Sequence, residues 1–78
     1  PINFTDDELM IRLDQLAKEC KLLQIYLVDV NDDYLKTKMA QLKFEFARHR
    51  YFQLLREVKS RGLKITEEGR RITELLFN

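Results

Sequence analysis

The chain has 78 residues, of which 45% are apolar and 35% charged, with two glycines, one proline, one cysteine and a formal net charge of +1. This describes one helix-rich domain and excludes a disordered chain or an internal disulfide framework. No apolar run approaches the ~18 residues of a membrane span and no signal-peptide pattern is present, so no membrane partner is expected. The expected location is cytoplasmic, in a source cell or an infected host cell, which a lone free thiol suits. A domain of this size buries only about 60 to 65% of its unfolded surface, so dense helix packing or oligomerisation has to supply stability.

The first predicted helix covers about 6–29. Thr5-Asp6-Asp7-Glu8 reads as a capping box, the Thr5 hydroxyl accepting from the Glu8 amide while the Glu8 carboxylate accepts from the Thr5 amide; Phe4 and Leu9 form a hydrophobic staple. Leu9, Leu13, Leu16, Cys20, Leu23, Leu27 and Val30 then recur at alternating spacings of four and three, the seam of an antiparallel hairpin or coiled coil. The β-branched stretch from Ile25 to Val30 admits a strand, but the unbroken seam favours helix. Ile11, Leu22 and Ile25 lie roughly opposite the seam and are the candidate dimer interface, because contiguous exposed apolar area is uncommon on monomers.

Asn31-Asp32-Asp33 reads as a turn, followed by a second helix over about 33–61 that stops at Gly62. Leu35, Met39, Leu42 and Phe46 form one stripe in its first half. Phe44, Ala47, Tyr51, Leu54 and Val58 form another, rotated by about 140°. The segment Lys43–Phe52 carries four of the eight aromatic residues, with Phe44 and Phe46 roughly 160° apart, so it contacts at least two partners. Phe46 is assigned to the hairpin seam, and Phe44 and Tyr51 to the third helix. Phe52 is left over beside Arg48, Leu55, Arg56 and Lys59, and these five are the candidate partner-binding patch, an aromatic anchor among cations.

The third predicted helix covers about 67–77, with Thr66 as N-cap, Glu67 and Glu68 in its first turn, and Ile72, Leu75 and Leu76 as its apolar side. Gly69 costs it about 1 kcal/mol, and about 11 residues make a marginal helix that has to dock. Folding back at Gly62 places Ile65, Ile72 and Leu76 beside Val58, Tyr51 and Ala47. Leu63-Lys64-Ile65-Thr66-Glu67-Glu68-Gly69-Arg70-Arg71-Ile72 resembles the strand-to-helix end of bacterial winged-helix regulators. The likeness covers about ten residues; the short helix-turn-helix spacing and wing hairpin of that family are absent, and no DNA-contacting residue is carried over.

Charge is uneven along the chain: residues 1–33 hold eight acids and three bases, residues 34–61 two acids and eight bases. A hairpin turning near Asn31 would set Asp6, Asp7 and Glu8 near Arg56 and Lys59, Glu19 near Lys43 and Asp14 near Arg48, so interhelical complementarity accounts for much of the split. The competing reading is nucleic-acid binding by the basic second helix, against which stand the near-neutral charge and the spread of bases around the helix. Cys20 and His49 fall short of any metal-ligand spacing, and Cys20 reads as a small core residue. His49 reads as a structural histidine beside the first-helix contact. With no nucleophile, base and orienter set and no phosphate-cradling glycine loop, neither catalysis nor a cofactor is expected. The sequence therefore predicts an all-α fold, a long antiparallel helical hairpin plus a short C-terminal helix, completed by dimerisation into a helical bundle. Its expected role is a regulatory, inhibitory or assembly-adaptor protein that forms a homodimer and acts by binding another protein.

Overall fold

The computed structural model describes residues 2–30 and 32–77, Phe77 by its place in a helix alone. Asn31, expected at the turn, lies outside the described residues. Three helices follow one another: α1 (Asp6–Asp29), α2 (Tyr34–Ser60) and α3 (Glu67–Phe77). Among the described residues there is no strand, so the segment from Ile25 stays helical to Asp29 and the residues before α3 are irregular. No helix is long and apolar enough to cross a membrane.

Local chemistry sets the helix ends. Thr5 Oγ1 accepts from the Glu8 amide at 3.2 Å and a Glu8 carboxylate oxygen accepts from the Thr5 amide at 3.0 Å, which completes the capping box. The bond from the Thr5 backbone also holds the Glu8 carboxyl below its ordinary pKa. Asp33 caps α2 by accepting from the Lys36 amide at 3.0 Å, and the Thr37 hydroxyl donates to the Val30 carbonyl across the turn. At the other end of α2, Gly62 adopts φ +72° while the amides of Gly62 and Leu63 donate to the carbonyls of Lys59 and Val58. These paired bonds close the last turn in a Schellman motif, whose left-handed position suits glycine. Thr66 Oγ1 accepts from the Gly69 amide at 3.0 Å at the start of α3.

The core joins Leu9, Leu13, Ala17 and Cys20 of α1 to Ala47, Tyr51, Leu54, Leu55 and Val58 of α2 and Ile72 and Leu76 of α3. Of the predicted α1 seam, Leu9, Leu13 and Cys20 are in the core with Ala17 added; Leu16 and Leu23 pack against it half buried, and Leu27 and Val30 lie beyond it. On α2 the assignment has to be corrected, because Leu35, Met39, Leu42 and Phe46, expected against α1, are all exposed. A long helix turns one side to its neighbours, and Ala47, Tyr51, Leu54 and Val58 fix that side by serving α1 and α3 together. The stripe about 140° away is then turned outward.

The core occupies the open end of the hairpin, where α3 closes over it. It stops at Cys20 on α1 and begins at Ala47 on α2. Between them, residues 21–46 form a two-helix arm in which Ala40 alone of the described residues is fully buried. The molecule is accordingly elongated, 43 × 25 × 18 Å.

Candidate functional site: the hairpin arm

Eleven large apolar side chains are exposed among the described residues, and all but Ile11 and Leu75 lie on this arm. On α1 they are Leu22, Ile25, Tyr26 and Val28; on α2 they begin with Tyr34 and continue as a regular stripe. Leu35 is 73% exposed, Met39 57%, Leu42 68% and Phe46 76%, at spacings of four, three and four. That is the spacing of a coiled-coil seam, and the four positions fall within about 60° of one another around the helix. Beside the stripe, a groove between the helices is lined by Leu23 and Tyr26 of α1 and by Leu35, Met39 and Ala40 of α2, with Lys36 and Lys43 on its rim. Lys38 Nζ stands 5.9 Å from the centre of the Tyr34 ring, and an Arg50 Nη donates to Gln53 Oε1 at 2.9 Å.

The partner-binding patch expected at Arg48, Phe52, Leu55, Arg56 and Lys59 is not an exposed anchor. Leu55 is a core residue and Phe52 is half buried, its ring edge-on to Tyr51 with centroids 5.6 Å apart. The Arg48 guanidinium lies 5.5 Å from the Phe52 ring centre, its Nε donates to the Leu76 carbonyl at 2.8 Å, and Glu45 is 3.8 Å away. The bond to Leu76 ties α2 to α3, and the Arg48 and Phe52 pair is engaged within the fold. Arg56 and Lys59 are exposed. The helical-wheel argument failed here because it gave α1 the side of α2 that holds Phe46, which left Phe52 and Leu55 without a partner inside the fold.

Ile11, Leu22 and Ile25, the candidate dimer interface, are exposed at 58%, 66% and 54% on the outer side of α1. The expected interhelical ion pairs are replaced by others. Asp6 pairs with Arg61 at 3.0 Å, Asp14 with Lys18 of its own helix at 3.0 Å, and Arg48 with Glu45. Arg61, unremarked in the sequence, also holds Glu57 at 2.8 Å and donates to the Ile2 carbonyl at 3.2 Å. The carboxylates of Glu57 and Asp6 raise the Arg61 pKa still further.

Cys20 is buried, and burial pushes its thiol up to about 11. His49, expected beside the first-helix contact, is exposed. Tyr51 is fully buried, and its hydroxyl shares a 2.6 Å hydrogen bond with Thr73, which in turn donates to the Gly69 carbonyl at 2.7 Å. A small cavity of about 110 Å³ lies beside Tyr51, between Met10, Leu13 and Ala17 of α1 and Ile65 and Gly69 at the start of α3. Asp14 and Thr66 also line it, and its surface is mostly apolar. Set against protein-family models, curated proteins and solved structures, the chain matches none. The arm is the candidate contact surface, an exposed apolar stripe flanked by lysines.

Proposed function

We propose that the chain is a small, non-enzymatic protein-protein interaction module, regulatory, inhibitory or adaptor in role, that engages its partner through the hairpin arm. One observation carries this reading: the regularly spaced, exposed stripe Leu35, Met39, Leu42 and Phe46 on a helix whose opposite side already serves the core. Fully burying such a side chain is worth about 1.5–3 kcal/mol, so four in register represent a substantial binding potential that folding of one chain leaves unused. The test is a paired measurement on wild type and a Leu42→Asp, Phe46→Asp variant, by chemical cross-linking in source-cell extract with identification of the products. The variant is expected to melt as wild type does and to lose the wild-type cross-links; unchanged cross-links would remove the arm as the contact surface.

A second reading concerns assembly. Ile11, Leu22 and Ile25 on the outer side of α1 support a homodimer through that side, separate from the α2 stripe. Sedimentation equilibrium of the purified chain in the micromolar range tests it: a monomer mass throughout excludes the dimer, and a mass that falls to monomer on Leu22→Asp supports it. Nucleic-acid binding by α2 is the competing reading, disfavoured because the aliphatic side chains occupy the middle of the exposed side where phosphates would lie. Retention of an oligonucleotide at moderate salt, lost on charge reversal of Arg48, Arg50 and Arg56, would establish it instead.

A further inference from the structure

We propose that the outer side of α2 is a docking site for an acidic amphipathic helix of a partner protein. This rests on the reading of the arm as a protein-contact surface and specifies what binds there. The spacing of Leu35, Met39, Leu42 and Phe46 is that of alternating core positions in a coiled coil, so the shape that fills it is another helix. The stripe spans about 16 Å, three turns, and matches roughly two heptads of a partner.

The flanking positions decide the charge of that helix. In the register set by the stripe, Lys36, Lys43 and Arg50 run along one flank, and Lys38 and Glu45 along the other. Four of these five are cations, and among the described residues none of the four is in an ion pair. Glu45, the acid, is already beside Arg48 at 3.8 Å. The groove alongside is lined by the apolar Leu23, Tyr26, Leu35, Met39 and Ala40 together with Lys36 and Lys43, two of these same cations. A helix with apolar core positions and Glu or Asp on both flanks is complementary in shape and in charge.

A second copy of the same stripe is not. An antiparallel pairing sets Lys36, Lys43 and Arg50 against the same cations of the other copy, and a parallel pairing sets Lys38 against Lys43 and gains only Glu45 against Arg50, an acid already beside Arg48. The outer side of a second copy's α1 does not fill the α2 stripe either, because Lys18, between Ile11 and Leu22, would bring a further cation to the same flanks. Nucleic acid would satisfy the cations and leave the apolar stripe uncovered.

The experiment uses the full chain and two labelled designed peptides of about three heptads, identical in their Leu core positions and carrying Glu or Lys on both flanks. The Glu peptide is expected to bind saturably, at least about tenfold more tightly than the Lys peptide, and more weakly as salt rises. Leu42→Asp should abolish binding with an unchanged melting curve, and a Lys36→Glu, Lys43→Glu, Arg50→Glu variant should exchange the preference in favour of the Lys peptide. Because that variant reads a reversal of preference, it decides the matter even where Leu42→Asp perturbs folding. Equal binding of both peptides, no binding of the Glu peptide, or self-association of the chain that Leu42→Asp abolishes would each overturn the proposal, as would an oligonucleotide competing away the bound Glu peptide. If the Glu peptide fails while the arm variant still loses its cross-links, the acidic-helix inference falls and the contact-surface reading stands; if the cross-links persist as well, both fall.

Discussion

Tyr51 is the side chain on which the three helices converge. Its ring is fully buried, its hydroxyl meets Thr73, and the Gly69 carbonyl lies 3.3 Å from the same oxygen. The Tyr51→Phe variant is expected to lose about 1 kcal/mol in a urea titration, since Thr73 keeps its bond to Gly69. Leu54→Ala, by contrast, should cost about 2–5 kcal/mol, because its site is enclosed on all sides. Cys20 gives a separate reading of the same interior. Its folded-state pKa lies above the ordinary thiol value of 9.0, at about 11, so between those values the native chain holds a proton that the unfolded chain has released. Stability from this group is complete below about pH 9 and is lost as pH rises toward 11; Tyr51, whose pKa burial also raises, works in the same direction. Melting temperature should therefore fall above about pH 9, and less so in Cys20→Ala relative to its own value at neutral pH. A Cys20 that reacts with a thiol reagent at native pH as fast as an unfolded control would contradict this burial.

At the scale of elements, the helix ends were legible in the sequence because each is written in a few adjacent residues. The Thr5 and Glu8 capping box, the glycine stop at Gly62 and the Thr66 cap all form as read, and Asp33, read as part of the turn, caps α2. Removing the first through Thr5→Ala should cost about 1 kcal/mol. Gly62→Ala should cost about 1–2 kcal/mol on conformational grounds alone, since a Cβ there meets nothing within 4 Å. Both are measurable by thermal unfolding followed by circular dichroism. Which side of α2 faces inward was not legible, because two apolar stripes compete and the choice depends on where α3 lands. Ala40, the one fully buried position of the arm among the described residues, is small and carries no weight in a search for large apolar side chains, yet small residues are what allow helices to approach closely. The burial of two aromatics was misjudged for the same reason: Phe46, expected inside, is exposed, and Phe52, expected outside, is half buried.

For the whole molecule, stability is graded along the hairpin. The fully buried residues gather at the open end, and the arm has Ala40 as its one fully buried described position. Amide exchange should therefore proceed from the turn outward, with residues 24–30 and 34–42 exchanging through local opening and residues 9–20 and 47–58 near the global unfolding limit. Uniform protection along α1 and α2 would contradict that gradient and point to an arm covered in solution. Partner binding or self-association at the arm would raise protection there first, which gives the functional proposals a common structural readout.

The clamp at Arg61 gives the fold a property that its hairpin outline hides. It joins the Asp6 carboxylate and the Ile2 carbonyl to residues 55 and 59 positions away, beside the core and at the opposite end from the turn. Val30 and Asp33, on either side of the hairpin connection, add nothing to the core. Two separate fragments, one ending in that turn and the other beginning there, should consequently find each other and rebuild the three-helix core, and an inserted sequence at that position should leave it standing.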